Sequence, residues 1–328
     1  MSEIHGPTSF ADIEGAAERI APFAVVTPLL ESQALNDRVG GRVLIKAEML
    51  QRTGSFKFRG AANRIAQMRP DELKRGVVAY SSGNHAQAVA LAGRIFGTTA
   101  VIVMPSDAPR MKLERTRQLG GEVVLYDRLT EDRAAIGEDI ARARGLTLVP
   151  PYEDPRIIAG QGTLGREVAL QARDIGVRLD AFLVCCSGGG LTAGCAVALK
   201  ALSPATKVFA IEPEGFDDTA RSLTSGHPVS NEPGQRSICD AILADRPGDL
   251  TFSINKVLLA GALSVSDDEA LRAVRFAYEE LKIVVEPGGA VALAALLSGR
   301  FDARGKTVGV VCSGGNVDPS VFRQAIDA

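Results

Sequence analysis

The chain has 328 residues, with 37 Lys and Arg against 39 Asp and Glu, so it carries no basic footprint for nucleic acid or an anionic membrane surface. Trp is absent and aromatic residues amount to 5%, which leaves few platforms on which bases could stack. No apolar run reaches the length of a membrane span, and the five cysteines (Cys185, Cys186, Cys195, Cys239, Cys312) give neither a C-x-x-C zinc pattern nor an even disulfide set. A soluble cytoplasmic protein with a small-molecule partner is expected.

Met1 to Phe10 has no basic segment followed by an apolar run, so no signal peptide is expected. Apolar spacing predicts a peripheral helix from Ser9, its N-cap, to Arg19. From Thr27 onward the chain alternates. Strands rich in Val, Ile and Leu are expected at 43–49, 76–81, 99–104, 122–126, 146–149, 181–186, 207–212 and 307–312. Helices are expected over 86–96, 110–119, 130–144, 162–174, 191–202, 267–281 and 289–297. Strands apolar on both faces belong to parallel sheets covered by helices, so the pattern predicts a doubly wound α/β protein. Pro150, Pro151 and Pro155 punctuate the best candidate for a domain boundary.

Four stretches carry chemistry. In Gln51-Arg52-Thr53-Gly54-Ser55-Phe56-Lys57, the lysine follows a strand and opens a helix, where the positive end of the macrodipole disfavours a cation. It is either a solvated first-turn lysine or an amine kept available as a nucleophile or base. Ser187-Gly188-Gly189-Gly190-Leu191, between a strand and a helix, offers N–H groups and a helix start to a phosphate, or else serves close strand–helix packing. The turn is not a P-loop, and its spacing is wrong for a dinucleotide fingerprint. Ser81-Ser82-Gly83-Asn84-His85 could hold a carboxylate at another helix start, or could act as a simple cap. Ser313, after the last strand, would meet an unprotonated ring nitrogen as a donor.

An amine, a phosphate cradle, a carboxylate clamp and a neutral partner for a ring nitrogen are the protein parts of pyridoxal phosphate chemistry. The segments LQRTGSFKFRGA, SSGNHAQAVA, IAGQGTLGREV, CSGGGLTAG, IEPEG, VEPGGAVALAALL and VCSGGNVD occur here in that order. Through them the chain resembles the fold-type II pyridoxal-phosphate enzymes of the serine/threonine dehydratase and serine racemase family, from about residue 26 to about 318.

That resemblance implies two mainly parallel α/β domains, a large one of 1–55 plus 152–328 and a small mobile one of 56–151. Lys57 would bond to the cofactor's aldehyde carbon and then take the substrate's Cα proton, and Phe56 would pack beside the ring. Asn84 would bind the ring oxygen; Ser187, Gly188, Gly189, Gly190 and Leu191 would hold the phosphate; Ser313 would face the ring nitrogen. Ser81, Ser82, Asn84 and His85 would surround the substrate carboxylate, and Ser82 would sit opposite Lys57 as the second acid/base of racemising members. With Ser313 rather than an Asp at the nitrogen the ring is a weaker electron sink, which favours expelling a β-substituent. The expected activity is conversion of L-threonine and L-serine to a 2-oxo acid and ammonia. The alternatives are a 3-hydroxyaspartate dehydratase and a serine or aspartate racemase.

Glu212, the carbonyl of Phe216 and Asp218 read alone as a solvated acidic loop; the resemblance makes them ligands of a divalent cation such as magnesium, calcium or manganese. Arg128 is a candidate for a second substrate carboxylate if it points inward. Ala241 stands where the family pattern has a glycine after Asp240. A homodimer is implied by the family, and no C-terminal regulatory domain is expected after the Ser313 turn.

Overall fold

The computed structural model describes residues 8–108 and 110–327. The reading of the first ten residues as lacking a signal peptide falls largely outside them.

Among the described residues, ten strands form two sheets: β1 (Leu29–Glu31), β2 (Arg42–Ala47), β3 (Val77–Tyr80), β4 (Ala100–Pro105), β5 (Gly121–Tyr126), β6 (Thr147–Leu148), β7 (Ala181–Cys185), β8 (Lys207–Pro213), β9 (Leu259–Val265) and β10 (Thr307–Cys312). The larger sheet runs β1-β2-β10-β7-β8-β9 and the smaller β5-β4-β3-β6. Every pairing is parallel except the antiparallel edge β1–β2. The eight expected strands are present; β1 and β9 were not expected. Apart from the buried Val265, their residues are partly buried or exposed, and they carry no run of large apolar side chains, so neither reads as a core strand.

The helices are α1 (Phe10–Ile20), α2 (Gln33–Val39), α3 (Lys57–Ile65), α4 (Pro70–Arg75), α5 (Asn84–Ile95), α6 (Arg110–Gln118), α7 (Arg133–Arg144), α8 (Pro155–Asp174), α9 (Gly190–Leu202), α10 (Asp218–Ser225), α11 (Asp249–Leu258), α12 (Asp267–Glu279), α13 (Pro287–Leu297) and α14 (Pro319–Asp327). Ser9 caps α1 through a reciprocal pair with Asp12. Helix α8 starts seven residues before the expected 162, because Asp154 accepts from the N–H groups of Arg156 and Ile157 and Pro155 fits the first helical turn. Its glycines allow backbone-to-backbone approach. A Cβ on Gly160 would lie 2.6 Å from the Arg59 carbonyl oxygen, and one on Gly165 2.8 Å from Cys195 Cα. Helix α8 thereby fixes α3, which begins with Lys57, against α9, which begins beside the glycine-rich turn.

A buried charge set reinforces that arrangement. Arg59 pairs with Glu48 at 2.7 Å and with Glu167 at 2.7 Å, and Lys46 pairs with Glu167 at 2.6 Å. Lys46 also donates to the Thr27 carbonyl at 2.7 Å and to Gln171 at 2.9 Å. Two cations face two anions in the interior, with their remaining hydrogen-bond capacity met by neighbours. Removing one member would cost about 3–5 kcal/mol by stranding its partner.

Candidate active site

The carboxyl ends of strands from both sheets converge on one cavity, where ligands of open parallel sheets bind. Lys57 opens α3 and borders this cavity. Its segment is stitched to the turn after β10, since Phe56 N donates to Ser313 O at 3.1 Å and Gly315 N to Gly54 O at 2.9 Å. Lys57 Nζ donates to the Pro151 carbonyl at 2.9 Å, and desolvation among protein atoms lowers its pKa to about 8. The expectation placed this effect on the helix start; burial is its leading cause.

Ser187, Gly188, Gly189, Gly190 and Leu191 line the same cavity. Carbonyls of the turn are tied away on α11: Thr251 Oγ1 donates to Gly188 O at 2.6 Å and Asn255 Nδ2 to Gly189 O at 3.3 Å. Gly189 has φ +89°, and a Cβ on Gly188 would lie 2.3 Å from the Tyr152 ring. A narrow cradle that side chains would fill, at the start of the thirteen-residue α9, fits a phosphate group.

Phe56, Ser81, Ser82, Asn84, His85 and Ser313 also line the cavity. Asn84 begins α5, so the first N–H groups of that helix are free for an anion. The His85 ring differs from its expected role. Its Nε2 meets the Val149 carbonyl at 2.9 Å and must carry the proton, while burial and the Lys57 charge push its pKa down to about 3. The ring is therefore neutral, its unpartnered Nδ1 is an acceptor, and only its backbone N–H suits a carboxylate. Cys185 beside Ser313 is also neutral near pH 7, burial having raised its thiol to about 11.

Arg128 lies outside the cavity, a correction to its candidacy. Its guanidinium is half exposed and pairs with Asp107 at 2.8 Å. Among the described residues, the arginine that borders the cavity is Arg133, the first residue of α7, with its guanidinium 5.9 Å from the Tyr80 ring centroid. Lys112, paired with Asp240 at 2.5 Å across the cavity, Tyr80, Tyr152 and Glu286 were likewise not anticipated.

Glu212 and Asp218 are apart from this cavity and are buried, not a solvated acidic loop. Glu212 accepts from Thr219 N at 2.9 Å and Ala220 N at 3.0 Å, capping α10. Asp218 Oδ1 accepts from Asn231 at 2.8 Å, and its Oδ2 is buried without a partner. Burial pushes both carboxyls up, and the repulsion of Asp218 adds to the effect at Glu212. Phe216 is half-buried in the same turn. Among the described residues no cluster of three His, Cys, Asp or Glu side chains could hold a metal. An orphaned carboxylate oxygen beside a second carboxylate nevertheless fits a cation completed by a backbone carbonyl.

Residues 20–314 match the family model described as pyridoxal-phosphate dependent enzyme. The chain belongs to that family. It is a fold-type II pyridoxal-phosphate enzyme, and its relatives include named ammonia-lyases. An L-threo-3-hydroxyaspartate ammonia-lyase of a Pseudomonas species is 44% identical over 95% of this chain and 96% of its own length. A serine racemase of Schizosaccharomyces pombe is 40% identical over 94% of each chain. Among solved structures, a serine racemase from Dictyostelium discoideum superposes with a TM-score of 0.88 at 38% identity, covering 95% of this chain and 99% of that one. A threonine deaminase superposes equally well, with a TM-score of 0.88 at 42% identity over 94% of this chain and 99% of its own.

Proposed function

We propose that the protein removes water and then ammonia from β-hydroxy amino acids, L-threonine and L-serine among them, to give 2-oxo acids. The observation that carries this reading is the placing of the Lys57 amine in one cavity with the glycine-rich turn, the open start of α5 and Ser313. Bound pyridoxal phosphate supplies an electron sink conjugated to the substrate amine, which makes Cα acidic. Ser187 to Leu191 hold its phosphate, Phe56 flanks its ring, Asn84 meets its ring oxygen, and Ser313 faces its ring nitrogen as a neutral hydroxyl.

The N–H groups at the start of α5, with Ser81 and Ser82, hold the substrate carboxylate and so orient Cα toward Lys57. Lys57 takes the Cα proton; its lowered pKa keeps a useful fraction of neutral amine near neutrality. Residues 56–151, which carry the smaller sheet, form the mobile unit that closes over substrate and excludes water. Glu212, the Phe216 carbonyl and Asp218 hold a structural divalent cation. The protein acts as a cytoplasmic homodimer.

A second reading, 3-hydroxyaspartate as the preferred substrate, is favoured by Arg133. A guanidinium at the cavity edge offers two parallel donors to a second carboxylate.

A substrate panel on purified protein, read as 2-oxo acid release, tests both readings. Threonine, serine and L-threo-3-hydroxyaspartate should each yield their 2-oxo acid. Arg133→Ala should abolish only the hydroxyaspartate reaction; an equal loss on threonine removes the dicarboxylate role. Serine incubated in deuterium oxide should give pyruvate, and a predominance of deuterated D-serine would overturn the lyase assignment in favour of a racemase using Ser82.

A further inference from the structure

Glu286 takes no part in the elimination chemistry, yet it is 2% exposed and forms part of the cavity wall just before α13. Its Oε1 accepts from Asn84 Nδ2 at 2.6 Å, and its Oε2 is buried with no partner. The direction of the neighbouring hydrogen bonds is set by a backbone carbonyl. Thr53, a β-branched residue held at φ 59°, presents its carbonyl to Asn316 at 2.7 Å, and a carbonyl only accepts, so Asn316 must present its Nδ2. The same Nδ2 donates to Asn84 at 2.7 Å, so Asn84 turns its Oδ1 to Asn316 and its Nδ2 to Glu286. One hydrogen of that Nδ2 remains unassigned. Glycines make room for the relay: a Cβ on Gly54 would lie 2.9 Å from Asn316 Oδ1, and one on Gly314 2.2 Å from Glu286 Oε1.

We propose that Glu286 is a positioning residue, the terminal acceptor of a relay Thr53–Asn316–Asn84–Glu286 that holds an N–H of Asn84, and not its carbonyl oxygen, toward the ring oxygen of bound pyridoxal phosphate. The proposal rests on the reading of Asn84 as the ring-oxygen contact. An N–H there stabilises the ionised ring oxygen, whereas a flipped carboxamide would set lone pair against lone pair. Burial, reinforced by Asp240 and opposed by Lys112 and Asn84, pushes the Glu286 carboxyl up to about 7. Oε1 accepts in either protonation state, because a proton can sit on the unpartnered Oε2.

The test is titration of the cofactor-free chain with pyridoxal phosphate, by equilibrium dialysis and visible absorbance, followed by a pH titration of the bound cofactor's spectrum. Glu286→Gln keeps an acceptor oxygen and should bind within about twofold of wild type with an unchanged spectral midpoint. Glu286→Leu should bind about tenfold more weakly, the equivalent of ~1.4 kcal/mol, and move the midpoint upward. Asn316→Leu, at a residue outside the cavity wall, should act in the same direction and carries the test if Glu286→Leu does not fold. Equal weakening by Gln and Leu, or wild-type binding and midpoint in Asn316→Leu, overturns the proposal. If the wild-type chain itself takes up no cofactor, the reading of Lys57 and Asn84 falls instead.

Discussion

A methyl group on Gly188 tests the anion cradle directly. An ideal Cβ there would lie 2.3 Å from Tyr152 Cε1 and 2.4 Å from both Cδ1 and Cζ. Carbon atoms pack at ~3.5–4.0 Å, so the ring or the turn must yield by about 1 Å or more. The turn is held: besides Thr251 Oγ1 at 2.6 Å, Gly248 N donates to the Gly188 carbonyl at 3.3 Å. The ring belongs to the residue after Pro151, whose carbonyl receives Lys57 Nζ. The displacement therefore falls on the phosphate cradle or on the amine. Overpacking of this kind costs ~1–3 kcal/mol, which corresponds to about 5- to 150-fold in cofactor affinity if it is borne by the site. The assay is pyridoxal phosphate titration of wild type, Gly188→Ala, Tyr152→Ala and the double variant. The double variant should bind within about threefold of Tyr152→Ala alone, because the obstructing ring is gone. Undiminished binding by Gly188→Ala, or a loss that Tyr152→Ala does not relieve, would refute the cradle.

Three further outcomes are expected. Lys57 is reactive toward an aldehyde only as the neutral amine, so cofactor uptake by the cofactor-free chain should speed about tenfold per pH unit up to about 8 and then level off, measured by stopped-flow absorbance. His85 has a folded pKa of about 3, below its unfolded value, so its stability contribution is present above the unfolded pKa and is lost as pH falls from there toward 3. Between pH 7 and 5 that loss is about 2 kcal/mol, and urea unfolding of His85→Gln should show a correspondingly shallower pH dependence. A divalent cation at about a hundred times its dissociation constant should raise the melting temperature by about 4 °C for a chain of 328 residues, with no rise in Asp218→Asn.

Motifs whose chemistry lies in consecutive residues were legible in the sequence. The glycine-rich turn, the Ser-Ser-Gly-Asn-His turn, Lys57 and Ser313 each follow a strand, and the ends of parallel strands meet at one edge. Contacts that depend on where a helix begins were not legible. Arg128 and Arg133 lie five residues apart in the same polar stretch; Asp132 caps α7 at Ala134 and Ala135 and so sets Arg133 on the cavity side, while Arg128 remains in the preceding loop with Asp107. Long-range partners such as Glu286 to Asn84 and Lys112 to Asp240 join segments 202 and 128 positions apart, and no local pattern announces them. Edge strand β1 and the half-exposed β9 lacked the apolar runs that revealed the interior strands.

The interior set of Lys46, Glu48, Arg59 and Glu167 also bears on how this sequence can change. Its members are linked through shared partners, so no single replacement leaves a balanced remainder. Drift at these four positions is consequently linked: a lineage crosses to an apolar or differently charged solution only by altering several together, or through an intermediate with little folding margin left. Mutant libraries built one position at a time will score all four as immutable, although the chemistry of the cavity requires none of them. Arg59 stands two residues from Lys57, so intolerance at Arg59 in such a screen would mimic the role in the reaction proposed for its neighbour.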